Sequence, residues 1–348
     1  MKHRLALIGF GGVGQGLIDI LKKKQNYLKE SLEIDIEVVA ITDINKGSIY
    51  HPDGLDLEMV STVMNQWGSL KDYPDYEGLQ KNWDSLKTIR ESNADTIIEI
   101  TYTNVKTGQP AIDHCKAAFQ HGKNVVMSNK GPVAIAYKEL SELAAKHRVQ
   151  WGFEGTVMSG TPAIRLPLAT LVGNEITEIR GILNGTTNFI LGKMEEGDKY
   201  ETALKEAQRL GYAEADPTSD VEGYDARYKI AILANVILNT PLKVEDIECK
   251  GITTITLEDI EQAKMENKRW KLLGSISKST DGIKAVVQPE KVALTDPLAG
   301  VSGATNAITY TCDMSGPITL IGAGAGLIET GYALLIDIIN INRNSLFH

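Results

Sequence analysis

Leu5-Ala6-Leu7-Ile8-Gly9-Phe10-Gly11-Gly12-Val13-Gly14 is the stretch on which the reading of this chain turns. Four consecutive apolar residues predict a strand buried on both faces, as in a parallel sheet. They run straight into G-x-G-x-x-G, and after Gly16 the apolar residues Leu17, Ile18, Ile20 and Leu21 recur at helical spacing. Strand, tight turn and helix in that order are what a dinucleotide site needs. Glycine at the first position permits the turn, at the second lets a pyrophosphate approach the backbone, and at the third lets helix and strand pack closely. Free N–H groups at the helix start then bind the anion. Gly9, Phe10, Gly11, Gly12, Val13 and Gly14 are therefore the first candidate cofactor residues.

Working outward, the apolar run at residues 37–42 predicts a second strand ending at Asp43, an acid suited to the adenosine ribose hydroxyls of NAD. Lys46, three residues on, suits the 2′-phosphate of NADP instead, and the interval of thirty-four residues from Gly9 to Asp43 is longer than usual. NAD and NADP both stay open. The polar stretch 51–84 breaks the alternation of strands and helices and is expected to decorate the nucleotide domain. A third strand, Thr96-Ile97-Ile98-Glu99-Ile100, leads to Thr101, whose place at a strand's C-terminal edge makes it a cofactor candidate. An amphipathic helix over 110–121 and a strand over 124–127 follow, and then Ser128-Asn129-Lys130-Gly131-Pro132. Lys130 thus stands at the mouth of a parallel strand, where its ammonium meets either a ligand or only solvent.

The segment Trp151-Gly152-Phe153-Glu154-Gly155-Thr156-Val157-Met158-Ser159-Gly160-Thr161-Pro162 is glycine-rich and irregular. It reads as a domain crossover, and its carbonyls together with the Glu154 carboxylate also suit a monovalent cation. Alternation at 176–182 predicts a strand, after which Thr186 or Thr187 caps a helix whose N–H groups otherwise suit a substrate carboxylate. The region 210–229 is the most informative. Five carboxylates, Glu214, Asp216, Asp220, Glu222 and Asp225, fall within twelve positions, which by itself describes a solvated loop. Asp225 and Lys229, however, lie four apart on one face of a helix that continues as Ile230-Ala231-Ile232-Leu233-Ala234. Lys229 must therefore border a buried surface, as a salt-bridge partner or as a functional group.

In this order, Gly9 to Gly14, Asn129-Lys130, Asn184-Gly185-Thr186-Thr187-Asn188, Gly211-Tyr212-Ala213-Glu214-Ala215-Asp216-Pro217 with Asp220, Gly223, Asp225 and Lys229, and Gly322-Ala323-Gly324-Ala325-Gly326, the motifs closely resemble the homoserine dehydrogenase family over almost the whole chain. The glycine fingerprint is widely shared, whereas residues 181–229 are specific to that family. The resemblance implies NAD(P)-dependent interconversion of L-homoserine and L-aspartate 4-semialdehyde in threonine and methionine biosynthesis. It implies substrate binding by Gly211, Glu214 and Asp225, proton transfer by Lys229 with Lys130 as second candidate, and a return of Gly326 to the cofactor. It further implies a monovalent cation, Na+, on Glu154, Val157, Ser159 and Thr161, and a homodimer. Family members carrying a fused kinase or an amino-acid-sensing domain are longer, and neither addition is expected in this chain. Another reductase of the same architecture, or a redox-sensing binding protein, would share the glycine turn but has no use for the Glu214 to Lys229 constellation.

The expected architecture is α/β, with a Rossmann nucleotide-binding domain over 1–137 and 324–348 and an α+β substrate-binding and dimerisation domain over 138–323. Composition agrees. The 348 residues suit about two domains, and the formal charge of −9 argues against nucleic acid as a partner. The most apolar stretches are too short and too charged for a bilayer span, and the N-terminus carries too few apolar residues for a signal peptide. Cys115, Cys249 and Cys312 are far apart in sequence, so buried thiols in a cytoplasmic protein are expected.

Overall fold

The computed structural model describes residues 2–104, 106–279 and 282–344. It consists of two compact units, Met1–Gly160 with Gly326–His348, and Thr161–Ala325.

The first unit is built on β1 (Lys2–Ile8), β2 (Asp35–Asp43), β3 (Gly47–Tyr50), β4 (Gln80–Lys81), β5 (Thr96–Glu99), β6 (Asn124–Met127) and β7 (Trp151–Gly152). They form one sheet of order β4-β3-β2-β1-β5-β6-β7, parallel from β2 through β7 and closed at one edge by antiparallel β3 and β4. Leu5, Ala6 and Leu7 have no exposure, as the continuous apolar run requires of a central parallel strand. Helices α1 (Gly12–Asn26), α2 (Leu57–Trp67), α3 (Ser85–Glu91), α4 (Ala111–Gln120) and α5 (Lys130–His147) belong to this unit, as does the C-terminal helix, Leu327–Asn342. That last helix lies so close to α1 that a Cβ on Gly16 would stand 2.7 Å from the Leu327 carbonyl oxygen.

The boundary differs from the expected one near residue 137. The α5 helix runs on to His147, and the chain then returns as β7 beside β6, so the first unit reaches Gly160. The polar stretch 51–84 likewise does more than decorate, because it supplies α2 and the edge strand β4.

The second unit carries α6 (Arg165–Thr170), β8 (Ile176–Ile182), α7 (Gly185–Glu195), α8 (Tyr200–Arg209), α9 (Thr218–Val221), α10 (Tyr224–Val236), β9 (Glu248–Cys249), α11 (Leu257–Met265), β10 (Lys268–Ser279), β11 (Gly282–Ala293), β12 (Thr305–Cys312) and β13 (Gly316–Ala323). Its six-stranded sheet has the order β13-β12-β8-β10-β11-β9. Strand β10 pairs with both β8 and β11. It bears Lys268, Arg269 and Lys271 at its start, and those charges hide its period from a sequence reading. Gly274 of β10 makes room for α10, since a Cβ there would stand 2.7 Å from the Ile230 side chain. Among the described residues no helix is long and apolar enough to cross a membrane, and all three cysteines are free thiols.

Candidate active site

The glycine turn follows β1 directly. Gly9 has φ +92°, its N–H donates to the Thr42 carbonyl, and a Cβ on it would stand 2.6 Å from the Ile100 carbonyl oxygen. Gly11 caps α1 without a side chain, and nothing lies within 4 Å of the place its Cβ would take. The first turn of α1 holds no acid. Open space, unspent N–H groups and a positive helix end suit a pyrophosphate.

Asp43, at the end of β2, binds this turn. Its Oδ2 accepts from the Phe10 N–H at 2.8 Å, and its Oδ1 from the N–H groups of Asn45 and Lys46 at 2.9 and 3.0 Å. Partial burial pushes the Asp43 carboxyl upward, but those amides and the nearby Lys46 ammonium outweigh it and hold the group below the ordinary carboxylate value. Lys46 folds back to donate to the Phe10 carbonyl oxygen. Both candidates for discriminating the two dinucleotides thus touch the same glycine loop.

On the other side of β1, Asn129 is the N-cap of α5, its Oδ1 accepting from the Gly131 N–H at 3.1 Å. The Asn129 amide donates to the Thr101 carbonyl at 3.2 Å, and the Thr101 hydroxyl donates to Glu99. Thr101 and Lys130 are both half-buried, and Lys130 is the first residue of α5. A cation in the first turn opposes the helix dipole, so helix stability does not explain it.

Further along the unit, the Glu154 side chain is 3 % exposed and its N–H donates to Asp337 of the C-terminal helix at 2.9 Å. Val157 and Ser159 are buried as well, with Met158 and Ser159 both left-handed at φ +57° and +54°. The Ser159 and Thr330 hydroxyls are hydrogen-bonded at 2.8 Å. Thr161 opens the second unit, where its hydroxyl donates to the Ala323 carbonyl. Among the described residues no cluster of three or more His, Cys, Asp or Glu side chains is placed to hold a metal ion.

In the second unit the spacing of Asp225 and Lys229 becomes a contact: Lys229 Nζ donates to Asp225 Oδ2 at 2.7 Å and to the Leu183 carbonyl at 2.6 Å. Lys229 is 6 % exposed. An ammonium has three donors, and the third has no partner among the described residues. Asn184 braces the pair, its amide donating to Asp220 Oδ1 at 2.7 Å and to Asp225 Oδ2 at 3.1 Å. Gly211, at φ +77°, and Glu214 are exposed, with no hydrogen bond joining either side chain position to this cluster among the described residues.

Sequence reasoning gave no role to Asn184, Asp220 or the Leu183 carbonyl. It also assigned the cap of α7 to Thr186 or Thr187. Asn184 is the cap instead, extended at φ −132° with its Oδ1 accepting from the Thr187 N–H, because α7 already starts at Gly185 and both threonines lie in its first turn. Asparagine between a strand and a helix is a recognised start signal and was there to be read. Glu99, which accepts from the Thr101 hydroxyl, and His114, 3.3 Å from the same carboxylate oxygen, had no sequence signal beyond being polar in apolar elements.

The family model described as homoserine dehydrogenase matches residues 162–339, and the one described as homoserine dehydrogenase, NAD binding domain, matches residues 9–154. The chain is 43% identical over 345 residues to an NAD(+)-dependent homoserine dehydrogenase of Pseudomonas canavaninivorans, covering 99% of this chain and 97% of that one. It is 44% identical over 342 residues to the homoserine dehydrogenase of Methanocaldococcus jannaschii, covering 98% and 99%. Among solved structures, a hyperthermophilic archaeal homoserine dehydrogenase mutant in complex with NADPH superposes with a TM-score of 0.86 at 32% identity, covering 100% of this chain and 99% of that one. A homoserine dehydrogenase from Thiobacillus denitrificans gives 0.84 at 31% identity, covering 99% and 74%.

Proposed function

The chain belongs to the homoserine dehydrogenase family, and from that premise we propose how its own residues carry out the NAD(P)-dependent interconversion of L-homoserine and L-aspartate 4-semialdehyde. The observation that carries the reading is Lys229, an ammonium almost withdrawn from water between Leu183 and Asp225.

The dinucleotide, when bound, supplies or accepts hydride at C4 of its nicotinamide. Gly9 to Gly14 hold its pyrophosphate at the start of α1, with Asp43 fixing the loop and Thr101, Lys130 and Gly326 completing the cofactor contacts. Homoserine carries an ammonium, a carboxylate and a primary alcohol. Glu214 and Asp225 take the ammonium and hydroxyl end, while a glycine N–H or a lysine takes the carboxylate; the Gly211 N–H itself donates to the Gln208 carbonyl, so Gly211 contributes through the shape of its backbone. As the aldehyde is reduced, its oxygen gains a pair of electrons and needs a proton, and Lys229 delivers it through the N–H that no neighbour holds. Asp225 Oδ2 holds the lysine in place through their hydrogen bond, and a proton from solvent restores the ammonium for the next turnover. Lys130 is the second candidate for that proton.

Glu154 with the main-chain oxygens of Val157, Ser159 and Thr161 is proposed to hold Na+, which would neutralise a buried carboxylate and fix the segment. In support stand the burial of Glu154, its tie to Asp337, and the two left-handed residues that turn successive carbonyls. A homodimer is proposed through the second sheet. One of its faces is packed by α10, while Glu178, Arg180, Ser275, Thr309 and Thr319 on the other are only part-buried. Light scattering should return twice the chain mass of 38.0 kDa, and a monomer at assay concentration would refute the dimer. A cytoplasmic location is proposed as well, in keeping with three cysteines that stay unpaired.

The test of function is the initial rate of NADH and of NADPH oxidation with aspartate 4-semialdehyde, using oxaloacetate plus ammonia as control and choline in place of sodium to read the cation. Turnover of the semialdehyde alone is expected. Lys46→Ala should lower kcat/KM with NADPH by about tenfold and leave NADH nearly unchanged, the loss of one charge-assisted contact to a 2′-phosphate. Equal losses with both dinucleotides would show that Lys46 only braces the loop.

A further inference from the structure

Beneath the cofactor edge of the first sheet lies a polar group that hydride and proton transfer do not use. Glu99, the last residue of β5, has no exposure at all. Its Oε1 accepts from the Thr101 hydroxyl and lies 3.3 Å from His114 Nδ1, while His114 Nε2 is 2.8 Å from the Ser85 hydroxyl. His114 is itself buried, at 3 % exposure, and Glu99 Oε2 has no hydrogen-bond partner among the described residues. A carboxyl group sunk in a sheet with one oxygen unpaired is costly, and an apolar residue would pack there more cheaply. Such costs concentrate at functional sites.

We infer that Glu99, steadied by His114 and Ser85, is a positioning residue of the cofactor site: it takes the only hydroxyl proton of Thr101 and so fixes that oxygen as a hydrogen-bond acceptor for the nicotinamide half of the dinucleotide. The chemistry follows from counting. A threonine hydroxyl has one proton and two lone pairs. With the proton committed to Glu99, and the Asn129 amide reaching one lone pair at 3.4 Å, the other can accept an N–H or O–H. Thr101 stands just beyond the C-terminal end of β5, the edge at which a parallel sheet binds its dinucleotide. The same Asn129 caps α5 at Lys130, so the buried group also steadies the start of that helix.

The inference rests on the reading of Thr101 as a cofactor residue, and the two are separable by experiment. The Kd for NADH is measured by fluorescence titration for Thr101→Val, Glu99→Leu, their double variant and Glu99→Gln. Thr101→Val should raise Kd by about tenfold, the loss of one hydrogen bond. Glu99→Leu, which removes the acceptor, should raise it by about threefold or more, and the double variant should match Thr101→Val alone because Glu99 acts only through that hydroxyl. Glu99→Gln keeps an acceptor in place of Oε1 and should recover most of what leucine loses. Should Glu99→Leu fail to fold, Glu99→Asp, whose carboxyl falls one methylene short of Thr101, takes its place. Additive losses, no recovery with glutamine, or an unchanged Kd in Glu99→Leu beside a raised one in Thr101→Val would overturn the positioning role. An unchanged Kd in Thr101→Val would overturn the cofactor assignment of Thr101, and the inference with it.

Discussion

Replacing Lys229 by alanine lowers kcat for semialdehyde reduction by about 10²-fold or more, the range expected when one general acid is lost, and leaves the Kd for NADH unchanged. The two halves of the result are tied to the structure. Lys229 lies on α10 and donates to the Leu183 carbonyl and to Asp225, and neither of those hydrogen bonds involves the glycine turn, Asp43 or Thr101. The loss should fall on kcat more than on KM for the semialdehyde, because the proton is needed as charge develops on oxygen and not while the aldehyde is being bound. Lys229→Met controls for packing: it fills the buried volume without an ammonium and should be as inactive as alanine while unfolding closer to the parent. If Lys229→Met retains kcat, the proton comes from elsewhere, and Lys130→Met must then show the loss instead.

Asp225 sharpens the same prediction. Two of the acceptors around Lys229 are the Leu183 carbonyl and Asp225 Oδ2. Asp225→Ala would leave a buried ammonium with half its compensation, so part of the damage should appear as lost stability; Lys229→Met should cost less, because the Asp225 carboxylate it leaves is 18 % exposed and still accepts from Asn184. The difference between the two variants separates the structural work of the pair from its chemistry.

The order in which these features could be read from sequence has a physical cause. Signals confined to a few consecutive residues came through. The run Leu5 to Gly14 gives β1, the turn and the start of α1, because burial on both faces and positive φ each restrict residue type locally. Asp225 and Lys229 were legible as a pair because helical spacing alone brings them onto one face. Contacts made by the return of distant chain were not. Asn184 meets Asp220 and Asp225 across 36 and 41 residues. Glu99 meets His114 from a neighbouring helix, and nothing in the strand Thr96–Glu99 marks its last side chain as more than an end residue. Strand β10 went unread for a different reason: Arg269 and Lys271 sit inside it, and Lys271 is buried by donating to Asn188 and to the Val301 carbonyl, partners that only the folded chain supplies. The boundary near residue 137 failed in the same way, since β7 is two residues long and is recognisable only by its pairing with β6.

Two substitutions in the glycine turn should part folding from binding. At Gly9 the backbone is left-handed at φ +92°, and a Cβ would stand 2.6 Å from the Ile100 carbonyl oxygen and 2.9 Å from the Thr101 amide nitrogen. Those are backbone atoms of the neighbouring strand's exit, unable to swing aside as a side chain can. Gly9→Val should therefore cost about 3 kcal/mol or more, combining the strain of a β-branched residue at positive φ with a backbone collision. Differential scanning calorimetry should place the unfolding transition several degrees or more below that of the parent. Gly11 is the opposite case. Its φ is −73°, a region open to any residue, and nothing lies within 4 Å of its missing Cβ. Gly11→Val should lower the transition by only about one to three degrees, the cost of a poorer N-cap without strain or collision. It should nevertheless weaken NADH binding by about tenfold or more, because the added methyl groups occupy the approach that lets a pyrophosphate reach the first N–H groups of α1. A Gly9→Val variant as stable as the parent would refute the strained turn. A Gly11→Val variant with parental affinity would move the pyrophosphate away from this helix, and with it the role of every residue from Gly9 to Gly14.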